Sequence, residues 1–185
     1  MGRGLRLLRG ICGGAVAALV LLPGWGAGGV ALGAEGGDLQ LSSPAFHPNG
    51  SIPTRYACDG SNISPPLKWS GSPRGTRSLA LIVDDPDAPG QVWVHWVAYN
   101  LPPEAGGLGE GASGSLPGSA REGRNSWGTF GYGGPCPPSG THRYRFKLYA
   151  LDTRLDLRTP DKSGLLEAIK GHILDRVELT ARYAK

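Results

Sequence analysis

Three aspartates occur within four residues directly after an apolar run, in the segment Asp84-Asp85-Pro86-Asp87-Ala88-Pro89-Gly90. Taken alone, Asp-Pro pairs are typical of a turn, because Asp side chains hydrogen-bond their own backbone. Carboxylates at the end of a central strand are nevertheless costly unless they are hydrated, hydrogen-bonded or paired with cations. The segment therefore indicates either a plain turn or a group of carboxylates whose partners lie elsewhere in the chain.

A candidate partner lies in the middle of the next apolar run, where His95 stands between Trp93 and Trp96. A single histidine in such a run is more often a hydrogen-bonded core residue than a functional one. An imidazole beside a carboxylate can also be held protonated or in a fixed orientation, which suits anion binding. Both interpretations stay open for His95.

The third chemical segment is a stiff loop that leads into a strand: Gly133-Gly134-Pro135-Cys136-Pro137-Pro138-Ser139-Gly140-Thr141-His142-Arg143-Tyr144. Glycine lets backbone N–H groups approach an anion closely, and proline fixes the shape of the loop. His142 and Tyr144 are the first inward-facing side chains of the strand that follows. Two histidines, a tyrosine hydroxyl and free amides would together suit the oxygen atoms of a phosphate.

The elements that must position these residues are mostly strands, because the chain is rich in Gly, Pro and β-branched residues and poor in helical patterning. We predict strands at 38–41, 67–69, 78–83, 92–101, 141–151 and 176–183, and one helix at 162–174 that Asp161 and Ser163 begin. The predicted fold class is mainly β, a two-sheet sandwich with one C-terminal helix before the last strand.

Two of the predicted strands carry face assignments that matter for the site. In 92–101, strict alternation places Val92, Val94, Trp96 and Ala98 on one face and Trp93, His95, Val97 and Tyr99 on the other, so the strand is central. In 141–151, Arg143, Arg145 and Lys147 share a face, a pattern typical of a solvated surface. The Gly/Ser/Pro-rich segment 102–141 between them is too long for a plain connection, which indicates function or disorder.

The N-terminal segment has the order of a secretory signal peptide. Arg3, Arg6 and Arg9 precede an apolar run at 11–22, and Pro23 and small residues then lead to Glu35. This order predicts cleavage near Gly33 or Ala34, a domain at 35–185, and a periplasmic or secreted protein. An uncleaved membrane anchor is the alternative, because 10–34 contains no charged residue.

Removal of that segment changes what charge and cysteine content indicate. Of 19 Lys and Arg residues three lie in it, so the mature chain keeps 16 against 15 Asp and Glu, and the net charge falls from +4 to +1. A nucleic-acid-binding function thereby loses its main support, which was the net positive charge. Cys12 is removed as well, which leaves Cys58 and Cys136 as a candidate disulfide in an oxidising compartment, or as two buried thiols.

The chemical segments together resemble the signature set of the phosphatidylethanolamine-binding protein family, in its bacterial, Raf-kinase-inhibitor-like branch. The resemblance rests on Asp85-Pro86-Asp87-Ala88-Pro89, Trp93-Val94-His95-Trp96 and Gly134-Pro135-Cys136-Pro137-Pro138 through His142-Arg143-Tyr144, with Asn62 to Trp69 and Tyr149 to Asp152 in support. It covers the chain from about Leu39 to Tyr183.

The resemblance implies a small pocket for phosphate, acetate or a phosphoethanolamine headgroup, with no cofactor and no metal. Carried over by position, the pocket residues are Asp85, Asp87, Ala88, Pro89, Trp93, His95, Cys136, Pro137, His142 and Tyr144. The expected partner is a small anion or a phospholipid headgroup, and a protein partner and a homodimer stay open. Only 90–94 separate Pro89 from His95, and the chain stops at Lys185, features of bacterial relatives that disfavour eukaryote-type kinase inhibition.

Two alternatives come from other functional classes. His95, His142, Asp85 and Asp87 offer N and O ligands to zinc, as in a metal-dependent hydrolase. Against this, the sequence has no His-Glu-x-x-His motif and no activated nucleophile. An inhibitor of a protease or kinase that acts by protein–protein contact is permitted by analogy alone.

Overall fold

The computed structural model describes residues 38–185, which form two antiparallel sheets and one α-helix. In chain order the elements are β1 (Gln40–Ser42), β2 (Leu67–Ser70), β3 (Ser78–Asp85), β4 (Trp93–Leu101), β5 (Gly107–Leu108), β6 (Arg121–Glu122), β7 (Thr141–Leu151), α1 (Lys162–Ala168) and β8 (Ile173–Ala184). The small sheet has the order β1-β2-β5 and the large sheet β6-β4-β3-β7-β8. The predicted fold class is confirmed, and all six predicted strands are present with ends within three residues of the prediction.

The main core lies between the two sheets. Leu41 and Trp69 of the small sheet pack in one buried cluster with Leu81, Phe146 and Leu148 of the large sheet. The alternation of β7 brings its apolar residues to this side, as the sequence predicts. The face of β7 that points into the core therefore also carries His142 and Tyr144 at the end where the strand begins.

The other face of the large sheet is covered by α1 and by the chain that leads into it. Ala80, Ile82 and Val97 pack there against Leu165 and Ile169. Because both faces of the sheet are covered, every residue of β3 is buried, which explains why residues 79–83 are apolar without alternation. The strand ends in Asp84 and Asp85, and these neighbours point to opposite sides of the sheet.

The predicted helix is too long by six residues. It begins as expected, with Oδ1 of Asp161 accepting a hydrogen bond from the backbone N–H of Gly164 at 2.8 Å. It ends at Ala168, because Gly171 has a left-handed backbone (φ 77°) that turns the chain. Ile173, the first residue of β8, then pairs with Leu151 of β7, so the last two residues of the predicted helix belong to a strand.

The long segment between β4 and β7 is ordered and contains β5, β6 and a 3₁₀ helix at Pro103–Ala105. Sequence reasoning missed β5 and β6, since strands of two residues carry no period. The predicted signal peptide and its cleavage position lie outside the described residues. Within 38–185, no helix has the length and apolar character needed to cross a membrane.

Candidate functional site

His95 occupies a β-bulge in β4. Val83 of β3 pairs with Trp96 and the next residue, Asp84, pairs with Val94, so His95 has no partner in β3. The extra residue reverses the alternation, and His95 therefore faces Tyr144 while Val94 packs on the helix side of the sheet. The predicted grouping of His95 with Val97, and of Val94 with Trp96, is wrong for this reason.

The bulge helps to form a cavity of about 240 Å³ at the end of the large sheet where β3 ends and β7 begins. Its lining consists of Asp85, Ala88, Pro89, Trp93, His95, Trp127, Cys136, Pro138 and His142. Seven of the ten residues assigned by resemblance line it. Of the others, Tyr144 packs against the His95 ring, Asp87 lies beside the cavity, and Pro137 is buried behind it.

His142 is held by a carboxylate. Its Nδ1 atom lies 2.7 Å from Oδ2 of Asp85, and both side chains are almost completely buried. The other oxygen of Asp85 accepts a hydrogen bond from the backbone N–H of Asp87 at 2.8 Å. Because the Asp85 bond uses Nδ1, the Nε2 atom of His142 is left for a group in the cavity.

His95 is held by the backbone instead. Its Nδ1 lies 2.7 Å from the carbonyl oxygen of Gly133, and the Gly133 N–H donates to the carbonyl of His95 at 2.8 Å. Burial lowers the pKa of His95 and outweighs the opposing effects of Gly133 and Asp85. A neutral ring that donates from Nδ1 presents Nε2 as a hydrogen-bond acceptor. A carboxylate therefore orients the imidazole of His142, whereas a backbone carbonyl orients that of His95.

Two buried hydrogen-bond donors at the cavity lack a partner. Within 38–185, neither Nε1 of Trp93 nor the hydroxyl of Tyr144 makes a hydrogen bond with a protein acceptor. Burial raises the pKa of Tyr144, so its hydroxyl keeps the proton. A buried unsatisfied donor costs about 1–3 kcal/mol.

Asp84, which points to the side of β3 opposite Asp85, is paired with three cations. Asp84 is fully buried, and its carboxylate accepts hydrogen bonds from Nε of Arg145 at 3.0 Å and from the Nζ atoms of Lys147 and Lys162 at 2.8 and 2.6 Å. Burial by itself would raise the pKa of Asp84, but the two lysine hydrogen bonds outweigh it and hold the pKa below its usual value. This group of four is defined here as the Asp84 cluster.

Asp87 pairs with the next cation of the same strand. Arg143 donates to it from Nε at 2.9 Å, from NH2 at 2.6 Å and from its backbone N–H at 2.9 Å. The Arg143 hydrogen bonds lower the pKa of Asp87 to about 2. The cation row of β7, typical of a solvated face by its sequence, therefore neutralises two of the three aspartates that needed partners.

Two cavity residues, Pro138 and Trp127, were not assigned from the sequence. Pro138 stands in the loop that the sequence singled out, whereas Trp127 lies outside each of the three chemical segments. Its ring meets the rings of Trp93 and His95 edge-on, at centroid distances of 5.3 and 5.1 Å. Its backbone N–H donates to Oδ1 of Asn125, which fixes the turn that carries it. A Cβ atom on Gly133 would lie 2.5 Å from the Trp127 ring, so this packing requires glycine. A single tryptophan within the Gly-rich segment was the available signal.

Cys58 and Cys136 form a disulfide in the structure, with their Cα atoms 5.4 Å apart. The same two segments are joined by hydrogen bonds from the Cys58 N–H to the Pro135 carbonyl at 3.0 Å and from the Gly134 N–H to Oδ1 of Asn62 at 2.7 Å. The predicted pairing thus connects the segment before β2 with the loop that forms one wall of the cavity. Among the described residues, no group of three His, Cys, Asp or Glu side chains is arranged to hold a metal ion.

Comparison with known proteins places this architecture among characterised folds. The family model for "Phosphatidylethanolamine-binding protein" matches residues 42–184. The UPF0098 protein of Methanothermobacter thermautotrophicus is 53% identical over 150 residues, which is 80% of this chain and 99% of that protein. A crystal structure of a candidate phosphatidylethanolamine-binding protein homologue, CT736 of Chlamydia trachomatis, superposes with a TM-score of 0.75 at 45% identity and covers 80% of this chain and 98% of its own.

A further relative bears on location. A Mycobacterium tuberculosis protein, LppC, is 46% identical over 132 residues, which is 70% of this chain and 63% of that protein. Its name describes a candidate lipoprotein, which is a class of exported protein. The relative therefore gives a hint of export within this group of sequences.

Proposed function

This chain belongs to the phosphatidylethanolamine-binding protein family, and we propose that its cavity binds a small phosphate- or carboxylate-type anion without converting it. The observation that carries the proposal is the pair of buried donors, Trp93 Nε1 and the Tyr144 hydroxyl, that have no protein acceptor. Trp93 lines the cavity together with His95 and His142, and the Tyr144 ring packs against His95. Phosphate and carboxylate oxygens accept hydrogen bonds from such donors, and the phosphate of a phospholipid headgroup has the same chemistry.

The hydrogen-bond directions narrow the protonation state of the ligand. His95 offers Nε2 as an acceptor, because its Nδ1 donates to Gly133 and burial disfavours its charged form. Asp85 adds a carboxylate to the same lining. A ligand that has both acceptor oxygens and an acidic hydrogen fits these groups better than a fully ionised anion does. Hydrogen phosphate and a phosphomonoester monoanion are the anions of this class.

Binding and chemistry are distinguished by two measurements on the mature protein. Calorimetric titration with inorganic phosphate, phosphoethanolamine and acetate should show saturable binding with one site per chain. Incubation with a phosphomonoester, with and without added zinc, should release no phosphate above the rate without protein. Steady release would instead establish the hydrolase alternative. Native mass spectrometry of protein purified from its host would identify a retained ligand and the oligomeric state.

We also propose that the chain is exported and that its N-terminal segment is removed. The support is the Arg3, Arg6 and Arg9 region, the apolar run after it and the small residues before Glu35. Intact-mass measurement on the exported fraction should find a chain that begins close to Glu35. A species that begins near Met1 in the membrane pellet would contradict removal and establish an anchor.

A further inference from the structure

A second cavity of about 220 Å³ adjoins the anion cavity. The two cavities share Trp127 and Cys136 in their linings. Each alone is smaller than the roughly 300–1,000 Å³ of typical small-molecule sites, whereas the two together reach that range. The pair therefore has room for a ligand that extends beyond a bare phosphate or acetate.

The second cavity has a different chemistry from the first. Asn62, Asn125, Thr129 and Tyr132 line it together with the Cys58–Cys136 disulfide, and no charged side chain is among the described residues of this lining. Its polar groups are mostly occupied, since the Tyr132 hydroxyl donates to the Tyr56 carbonyl at 2.8 Å and Thr129 Oγ1 donates to Asn125 Oδ1 at 3.1 Å. Such a lining suits an uncharged and largely apolar group, because an ammonium group would be desolvated there with no carboxylate partner.

Trp127 forms the boundary between the two cavities. Its ring packs on Gly133 and against His95, yet 46% of the residue is exposed. An aromatic side chain in this position can contact a ligand on both sides of the boundary. The Trp127 ring thus provides apolar surface along the path from the imidazoles to the disulfide.

We infer that the second cavity holds the uncharged substituent of a phosphate monoester whose phosphate group lies in the anion cavity. This inference rests on the proposed anion site, and it adds the part of the ligand that distinguishes one phosphate ester from another. An aryl or short alkyl ester is the class that matches an uncharged, partly aromatic lining of this volume. A bare phosphate would leave the second cavity empty.

The test compares inorganic phosphate, phenyl phosphate and phosphoethanolamine by calorimetry near pH 5. There the phosphate group of each ester carries one negative charge because its second pKa is about 6. Phenyl phosphate should bind about tenfold more tightly than inorganic phosphate, since the ring buries apolar surface in the second cavity. Phosphoethanolamine should show no such advantage. Thr129→Phe places a ring in the second cavity and should bring phenyl phosphate to the affinity of phosphate. Leu174→Phe, which adds a ring at an exposed residue outside both cavity linings, should leave the advantage intact.

The outcomes separate this inference from the proposed function. Loss of all phosphate binding in the wild-type protein would contradict the anion site itself. If phosphate and phenyl phosphate bind with equal affinity, the inference about the second cavity is overturned while the anion site stands. The same holds if phenyl phosphate still binds more tightly than phosphate to a folded Thr129→Phe protein. Should Thr129→Phe fail to fold, Thr129→Leu fills less of the cavity and is judged by the same comparison.

Discussion

The Nδ1 atom of His142 lies 2.7 Å from Oδ2 of Asp85, and this contact joins the start of β7 to the last residue of β3. Both groups are buried, so water does not compete strongly for this contact. The Asp85 carboxylate holds the imidazole in one orientation and aims its Nε2 atom at the cavity. A second His–Asp pair, His172 with Asp152 at 2.8 Å, is exposed and remote from the cavity lining.

The contrast between these two pairs gives the first prediction. His142→Ala should weaken phosphate binding about tenfold or more, because a hydrogen bond to a charged group contributes roughly 1.5–3 kcal/mol. His172→Ala should leave the affinity unchanged, and calorimetric titration of both variants is the measurement. Equal affinity of His142→Ala and wild type, in a folded protein, would remove His142 from the site.

Removal of the tyrosine hydroxyl should have opposite effects at Tyr144 and at Tyr132. Tyr144→Phe removes a buried hydroxyl that has no acceptor, so the free energy of unfolding should stay constant or rise while phosphate binds more weakly. Tyr132→Phe removes a hydroxyl that donates to the Tyr56 carbonyl, so the fold should lose about 1 kcal/mol and phosphate affinity should not change. Urea unfolding and calorimetry on both variants test the pair. A destabilised Tyr144→Phe protein with normal phosphate affinity would indicate a purely structural hydroxyl.

Period and turn chemistry are local properties, so they singled out Asp85, His142 and Tyr144 as candidate site residues. Ala88, Pro89 and Trp93 were instead assigned by resemblance to the family. Thr141 to Leu151 alternates without interruption, so His142 and Tyr144 were assigned to the correct face. His95 was not, because a bulge depends on how β3 and β4 pair and leaves no mark in the sequence of β4 alone. Trp127 was missed for a similar reason. Its position over Gly133 is a tertiary contact between two turns of one irregular segment.

The Asp84 cluster predicts a pH-dependent stability. Asp84→Ala should lower the free energy of unfolding at pH 7 by up to about 3 kcal/mol, because it removes a buried carboxylate from three partly exposed cations. The lowered pKa of Asp84 means that its contribution is present above the unfolded-state pKa of about 4 and is lost as the pH falls through the folded-state value. The difference between wild type and variant should therefore narrow below pH 4 in urea titrations. A constant difference from pH 7 to pH 2 would show that ionisation of Asp84 is irrelevant to it.

The disulfide should support both the fold and the cavity. Cys58 and Cys136 are 78 residues apart, so their bond should contribute about 4 kcal/mol by restricting the unfolded chain. Reduction should lower the free energy of unfolding by up to this amount and weaken phosphate binding, since Cys136 lines the cavity. Thiol labelling of exported protein under denaturing, non-reducing conditions should modify neither cysteine. Two labelled residues would show that the bond is absent in the cell.

The neutral state of His95 leads to a prediction about which anions bind. Burial lowers the pKa of His95, so near neutral pH its Nε2 accepts a hydrogen bond and prefers a ligand that still carries a proton. Hydrogen phosphate should therefore bind more tightly than sulfate at pH 7 and equal ionic strength. Phosphoethanolamine should bind more weakly as the pH rises through its second pKa of about 6, where it loses its last phosphate proton.

The variant His95→Gln tests whether the Nε2 acceptor of His95 causes the preference for a ligand that carries a proton. A glutamine amide can both donate and accept, so the preference for hydrogen phosphate over sulfate should shrink even where overall affinity falls. Calorimetry with both anions from pH 5 to pH 8, on wild type and His95→Gln, measures the preference directly. Sulfate binding that equals phosphate binding in the wild-type protein at pH 7 would mean that His95 acts as a donor, and the assignment of its Nε2 as an acceptor would be wrong.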